Sequence, residues 1–157
     1  MYTQDTIRIL NGLIRACRDS EAFCRVSSRR RVGRELRALL RSRSEEWARL
    51  GDELQALVLL LNGEPALSGT FAASMRRGWL VVRSAFPGSA EAAVIEDWER
   101  TQNAAWQRYA EAMSGYLPER IRRTVSLQSD RIADRCDQVG SLRLGPTRLA
   151  RGAPRAV

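Results

Sequence analysis

Residues 34–62 read RELRALLRSRSEEWARLGDELQALVLLLN, which has the length and the periodicity of one long helix. The apolar residues of this segment recur at steps of three and four, so they fall on one side of a 3.6-residue helix. They are Leu36, Leu39, Leu40, Trp47, Leu50, Leu54, Leu57, Val58 and Leu61. That side is predicted to face a core. Glu46 and Glu53 interrupt the edge of the apolar stripe, and ionised groups are costly to bury unless they are paired or liganded.

Three more segments show the same helical periodicity, and each carries polar residues in its inward row. Helix one is predicted over residues 3–28, helix three from Ser89 to about Gly115, and helix four from Pro118 to about Arg143. The inward row of helix one contains Glu21. Helix three contributes Glu99, Gln102, Trp106 and Tyr109, and helix four contributes Gln128 and Cys136. Acidic and amide side chains therefore share the inward surface with the apolar ones.

A shorter amphipathic segment, Thr70 to Phe86, separates the second helix from the third. It is too long for a tight turn, and its spacing predicts a short helix laid across the bundle. Four long helices with two short links and one long crossover predict an all-α, ferritin-like four-helix bundle. This bundle is expected to span residues 1–143. Residues 144–157 are rich in Gly, Pro and Arg and are predicted to form a disordered tail.

Length and composition restrict the class of protein. A chain of 157 residues with 44% hydrophobic residues predicts one domain with a continuous core. The sequence has neither an apolar run long enough to span a bilayer nor the pattern of a secretory signal, so we expect a soluble, cytoplasmic protein that does not contact a membrane. The three cysteines, Cys17, Cys24 and Cys136, form no paired framework and are expected to be reduced.

The charge is strongly positive and is carried by arginine alone. The net charge is +8, all 26 basic residues are arginines, and there is no histidine. The arginines are dense in two places, the segment Arg29 to Arg37 and the tail. A basic protein of this kind can bind phosphate-rich partners, so nucleic-acid binding through these two segments is one alternative function.

Several segments resemble, in sequence and order, a bacterial family of ferritin-like four-helix-bundle proteins of unknown function. These segments are TIRILNGLIRACRDSEAFCR, ELRALLRSRSEEWARLGDELQALV, GEPALSGTFAASMRRGWLVVRSAF, AAVIEDWERTQNAAWQRYAEAM and DRIADRCDQVGSLR. The resemblance covers roughly residues 3–143. It rests on an Asn-Leu pair in helix one, the SEE segment, the GEP turn and the RGW of the crossover. It implies the fold and implies little about activity, because the family has no established reaction.

This chain departs from the family pattern at the positions that matter for metal binding. Family members commonly carry further acidic residues after the glutamate that aligns with Glu99, where this chain has Gln102 and Asn103. They often carry a histidine where this chain has Cys136. Ferritin-like oxidases draw a glutamate from each of two helices and a Glu-x-x-His pair from each of the other two. A chain without histidine cannot complete that pattern.

Two interpretations of the inward carboxylates stay open. Glu21, Glu46, Glu53 and Glu99 could converge into a carboxylate-only metal site, and such hard oxygen ligands suit Mg, Ca or Mn. Alternatively, these glutamates reach solvent or pair with arginines, as the position of Arg43 one turn from Glu46 indicates. A separate set of residues, Gln102, Gln128 and Cys136, is predicted to form a polar part of the core.

The complete bundle pattern with an incomplete ligand set favours a noncatalytic helical bundle that acts through self-association or protein partners and has a degenerate metal site. No cofactor is expected. The alternative is a carboxylate-only, ferritin-like protein that binds a divalent metal, and the second alternative is a basic module that binds nucleic acid. Ile9, Trp98 and Val81 are apolar residues left over from the predicted core, so they are candidates for the face of a homo-oligomer, which could be a dimer.

Overall fold

The computed structural model describes the backbone of residues 2–70 and 90–149, with side chains as far as Cys136 and at Gln138 in the last helix. This part of the chain contains four helices and no strand: α1 (Tyr2–Ser27), α2 (Arg34–Leu60), α3 (Ala90–Ser114) and α4 (Glu119–Leu149). The all-α prediction is therefore confirmed. Helix α4 continues past Arg143, where its pattern was expected to end. The predicted crossover helix lies outside the described residues, apart from Thr70.

The helices pack in two pairs. Helix α1 lies directly against α2 and α3, and α3 lies against α4. Short links, residues 28–33 and 115–118, join the members of each pair, so those members run antiparallel. Helices α2 and α4 meet mainly through side chains that reach across the interior, such as Gln128 and Glu53. Within residues 2–70 and 90–149, no helix is both long and apolar enough to cross a bilayer.

The apolar stripe of α2 faces the core as predicted. Leu40, Leu54 and Val58 are fully buried, and they meet a matching row on α1. The buried apolar residues of α1 are Ile7, Leu10, Leu13, Ile14, Cys17, Phe23 and Cys24. Burying an aliphatic side chain contributes about 1.5–3 kcal/mol relative to leaving it exposed, so these two rows supply much of the stability of the first pair.

The inward face of α3 differs from the prediction by one position. Trp98, expected to be left over for an oligomer face, is 1% exposed, whereas Trp106, expected to face inward, is 43% exposed. The buried row is Val94, Trp98, Gln102, Ala105, Tyr109 and Ala112. Ala105, and not Trp106, faces inward because α3 packs closely against α1, and a small side chain allows that approach. Trp98 is thus a core residue, and its predicted role in an oligomer face is corrected.

Helix α2 ends shortly before a residue with left-handed backbone. Asn62 adopts a positive φ of 56°, and the backbone N–H of Gly63 donates to the carbonyl of Val58 at 3.0 Å. These contacts satisfy carbonyls that the last helical turn leaves free. The chain then runs along α1, where the amide of Asn11 donates to the carbonyl of Glu64 at 3.0 Å and accepts from the N–H of Ala66 at 2.7 Å. The Asn of helix one and the GEP turn therefore bind each other.

Replacing Gly69 by alanine is expected to detach this segment from α1. A Cβ at Gly69 would lie 2.6 Å from the backbone oxygen of Arg15, which cannot move aside as a side chain can. The overpacking should lower the free energy of unfolding by about 1–3 kcal/mol, measured by urea denaturation. Gly12→Ala is the matched control, because nothing lies within 4 Å of its added Cβ and α1 should gain about 0.5–1 kcal/mol. Equal effects of the two substitutions would contradict the close approach.

Candidate functional site in the bundle interior

A chain of hydrogen bonds crosses the centre of the bundle and uses one side chain from each helix. The thiol of Cys17 on α1 lies 3.3 Å from the hydroxyl of Tyr109 on α3. That hydroxyl donates to Oε1 of Gln128 on α4 at 2.7 Å, and Nε2 of Gln128 donates to Oε2 of Glu53 on α2 at 2.8 Å. Cys17, Tyr109 and Gln128 are almost completely buried, while Glu53 is exposed. The four residues are called the central chain below.

The buried members of the central chain are uncharged. Burial raises the pKa of the Cys17 thiol to about 12, and it also raises the pKa of the Tyr109 hydroxyl well above its ordinary value. Both groups therefore keep their protons at neutral pH and act as hydrogen-bond donors. Gln128 carries no charge at any pH. The only carboxylate of the central chain, on Glu53, lies at the surface end, where water solvates it.

Glu46 lies in an ion-pair cluster that joins α2 to α4. Its Oε2 accepts from the guanidinium of Arg43 at 2.7 Å, and its Oε1 lies 3.5 Å from Nε of Arg135. Arg43 is 6% exposed, and it also donates to the side-chain oxygen of Gln138. A buried guanidinium needs such partners because an uncompensated charge is expensive to remove from water. This set of four residues is called the arginine cluster below.

Glu21 lies in a second ion-pair set, which joins α1 to α2. It binds Arg18 at 3.1 Å and lies 3.9 Å from Arg25. Arg18 also binds Asp52 of α2 at 2.7 Å. Gly51 makes room for this arginine, since a Cβ there would lie 3.1 Å from the guanidinium carbon. The carboxylate of Glu21 is thereby neutralised by cations of its own helix.

The four glutamates that could have converged into one site have separate partners. Glu21 and Glu46 belong to different ion-pair sets, and Glu53 accepts from the amide of Gln128. Glu99 is half-buried on α3 and also interacts with other residues of the chain. Across residues 2–70 and 90–149, no three His, Cys, Asp or Glu side chains are grouped so that they could hold a metal ion. The residues present do not match the donor set of a ferritin-like metal centre.

Gln102, Gln128 and Cys136, predicted to form a polar part of the core, lie in two places. Gln128 belongs to the central chain, whereas the thiol of Cys136 lies 3.9 Å from Oε1 of Gln102, which is 1% exposed. Gln102 also lines a cavity of about 10 Å³ together with Arg43 and Glu46. A space of that size holds no more than about one water molecule, so this cavity cannot admit an organic substrate.

Sequence reasoning missed the part that Tyr109 and Arg43 play. Tyr109 was placed in the inward row of α3 without a partner, although a buried tyrosine usually binds one through its hydroxyl. Because the amide of Gln128 was also predicted to face inward, that rule could have identified Gln128 as the partner of Tyr109. Arg43 was identified as a neighbour of Glu46 one helical turn away, but its burial was not predicted. Its burial depends on Arg135 and Gln138 of α4, which the spacing within α2 could not identify.

Replacing Gln128 by leucine is expected to lower the free energy of unfolding by about 1–3 kcal/mol, because the buried hydroxyl of Tyr109 loses its acceptor. The double variant Tyr109→Phe with Gln128→Leu should be more stable than Gln128→Leu alone, since it removes both partners. Urea denaturation measures both. Gln107→Leu on the exposed side of α3 is the control and should change stability by less than about 0.5 kcal/mol. A double variant as unstable as the sum of its single variants would contradict the coupling.

The basic segment at the turn between α1 and α2 is exposed to solvent. Arg29, Arg31 and Arg34 are exposed, whereas Arg37 is half-buried and donates to the carbonyls of Arg30 and Val32. No ion pair involves Arg29, Arg31 or Arg34 within the described residues. Residues 150–157 of the basic tail lie outside that part of the chain, and the side chains of residues 144–149 are likewise outside it.

Comparison with known proteins identifies a family without an assigned activity. The model of a family described as a domain of unknown function, DUF2383, matches residues 5–115, which include nearly all of α1 and the whole of α2 and α3. No curated protein matches the chain. The matched region contains Cys17, Glu53 and Tyr109 of the central chain, and it ends before α4.

Proposed function

The chain belongs to the DUF2383 family, and from the uncharged buried members of its central chain and the pairing of Glu21 and Glu46 with arginines we propose that it is a noncatalytic, ferritin-like helical bundle that acts by association with itself or with other proteins. Two antiparallel helix pairs joined by a long connection, residues 61–89, support the ferritin-like part of this proposal. The observation that carries the noncatalytic part is the pairing of Glu46 with Arg43 and Arg135. A metal ion that bound the carboxylate of Glu46 would have to displace two guanidinium groups.

The side chains that could act as metal ligands also support a noncatalytic bundle. A ferritin-like metal pair needs four glutamates and two histidines from facing helices, and this chain has no histidine. The interior positions that face one another carry a thiol, a phenol and amides, and burial keeps the thiol of Cys17 and the phenol of Tyr109 protonated. A thiol binds metal as the thiolate, so a raised pKa weakens Cys17 as a ligand. The polar groups therefore serve as structural cross-links between the helices.

Oxidation of ferrous iron in air tests the noncatalytic part directly. We expect iron to be oxidised at the same rate with the protein as with buffer, followed by the absorbance of the ferric product. Glu46→Gln, which keeps the shape of the side chain, should give the same rate. Protein-dependent turnover that Glu46→Gln abolishes would overturn the proposal and would favour the carboxylate-only metal alternative.

A second candidate function, binding of nucleic acid, is supported by the exposed arginines at the α1–α2 turn. Their charges are not used in described ion pairs, so they are free to bind phosphates. If this function holds, a fluorescent DNA duplex binds the protein with an affinity that falls steeply with salt, and replacing Arg29, Arg31 and Arg34 by glutamine weakens binding and flattens the salt dependence. Arg120→Gln, at the opposite end of the bundle, is the control. Absence of binding at low salt removes this candidate.

A further inference from the structure

The surface between α2 and α4 contains an apolar groove of about 410 Å³. Ala56 and Leu57 line its α2 side, and Leu127 lines its α4 side. Leu127 is 57% exposed, and Leu60, one helical turn beyond Ala56, is 70% exposed. Large apolar side chains clustered on the surface of a charged protein mark a contact site more often than isolated ones do. These four residues are called the α2–α4 face below.

The two rims of the α2–α4 face carry opposite charges. Glu53 lies on the α2 rim and Arg131 on the α4 rim. Neither side chain forms an ion pair within residues 2–70 and 90–149, although Glu53 accepts the hydrogen bond from Gln128. A surface with an acid on one rim and a base on the other is complementary to a second copy of itself when the two-fold axis runs along the groove, because that rotation sets α2 of one copy against α4 of the other and each acid opposite a base.

A larger groove lies between α1 and α3. It has a volume of about 550 Å³ and is lined by Arg15 and Asp19 of α1 and by Arg100 and Arg108 of α3. Arg100 and Arg108 already pair with glutamates of their own helix. The charged residues on the rims of the α2–α4 face have no ion-pair partner within residues 2–70 and 90–149, so their opposite charges remain available to a second copy.

We propose that a second copy of the chain binds at the α2–α4 face through a two-fold axis that runs along the groove. Leu127 and Leu57 of each copy are covered by the other, and Glu53 of each copy lies opposite Arg131 of the other. The inference rests on the proposed function, since it names the surface through which the bundle associates. It also assigns Glu53 two roles, as the acceptor of the central chain and as an ion-pair partner between copies.

Sedimentation equilibrium of the full chain tests this surface. The wild-type protein is expected to dimerise, and Leu127→Glu should raise the dissociation constant at least about tenfold by placing a carboxylate in the apolar groove. Arg131→Glu and Glu53→Arg should each weaken the dimer to a similar degree, because each sets like charges opposite one another. Ala104→Glu in the α1–α3 groove is the control and should leave the dissociation constant unchanged. Circular dichroism checks that each variant is folded.

Mixing the two charge-reversal variants is the most specific test of the proposed pairing between Glu53 and Arg131. A copy with Glu53→Arg presents two arginines, and a copy with Arg131→Glu presents two glutamates, so the mixture should form a heterodimer that is tighter than the homodimer of either variant. A mixture that stays monomeric contradicts the proposed pairing. A wild-type dimer that Leu127→Glu and Arg131→Glu leave intact contradicts the α2–α4 face while leaving self-association standing. A wild-type protein that is monomeric at all concentrations contradicts this inference and the self-association part of the proposed function.

Discussion

Raising the pH above 9 is expected to destabilise the protein steeply, because folding holds two thiols in their protonated form. Burial raises the pKa of Cys17 and of Cys24 from 9.0 to about 12 in each case. In the unfolded chain these thiols lose their protons above pH 9, whereas in the folded chain they keep them until about pH 12. The unfolded state then binds fewer protons than the folded state, so the free energy of unfolding falls as the pH rises.

The magnitude follows from the same linkage. Each thiol should remove about 1.4 kcal/mol of stability per pH unit within this window, and below pH 9 its contribution is constant. The raised pKa of Tyr109 steepens the loss above the ordinary tyrosine pKa near 10. Urea denaturation between pH 7 and 11 measures the slope. Because the central chain holds both Cys17 and Tyr109, this slope reports how completely the bundle excludes water from them.

A matched set of variants separates ionisation from simple loss of packing. Cys17→Ala and Cys24→Ala should each be less stable at pH 7 and should each show a shallower slope above pH 9. Leu13→Ala, at a position that is 1% exposed, should also be less stable at pH 7 but should keep the wild-type slope. A wild-type slope in the two cysteine variants would show that their thiols are not responsible.

Replacing Arg43 by methionine is expected to lower the free energy of unfolding by about 3 kcal/mol, the lower end of the range for breaking a buried ion pair. The lower end applies because Glu46 is 20% exposed in its side chain and keeps a contact of 3.5 Å with Arg135. The substitution leaves a largely buried carboxylate and removes one of the two arginine donors to the side-chain oxygen of Gln138. Both changes weaken the attachment of α4 to α2, since the arginine cluster is one of the few direct links between them.

Two controls give this prediction its specificity. Arg41→Met removes an exposed arginine from the same helix and should change stability by less than about 0.5 kcal/mol. The double variant Arg43→Met with Glu46→Leu should be more stable than Arg43→Met alone, because it removes the unpaired carboxylate as well. The loss in Arg43→Met should persist in high salt, which screens exposed charges more than buried ones. An effect that salt abolishes would place Arg43 at the surface.

The helical pattern predicted the architecture because burial of apolar side chains follows the 3.6-residue period. The stripe of α2 from Leu36 to Val58 lies where the period places it. In α3 the same pattern placed Gln102 and Tyr109 correctly but chose Trp106 instead of Trp98, since the two tryptophans are equally apolar and only packing selects between them. A tryptophan among alanines and charged residues therefore carries less positional information than a row of leucines.

The candidate site was harder to predict than the fold, because its contacts join different helices. The inward positions of Gln102, Gln128 and Cys136 followed from periodicity. That Gln128 binds Tyr109 and Glu53, and that Arg43 reaches Gln138, depends on the distance between helices and on side-chain rotamers. The spacing of residues along one helix indicates neither the distance between helices nor the side-chain rotamers. The sequence left open whether the glutamates converge or pair with arginines, and ion pairs with arginines hold Glu21 and Glu46 in separate sets.

The central claim is that the inward polar residues cross-link the helices and do not bind metal, and metal analysis of the full chain tests it most directly. Protein equilibrated with manganese and with ferrous iron under anaerobic conditions, then freed of unbound metal, should contain far less metal than protein, and Glu46→Gln with Glu53→Gln should contain the same small amount. Stoichiometric metal in the wild-type protein that the double variant loses would contradict the account.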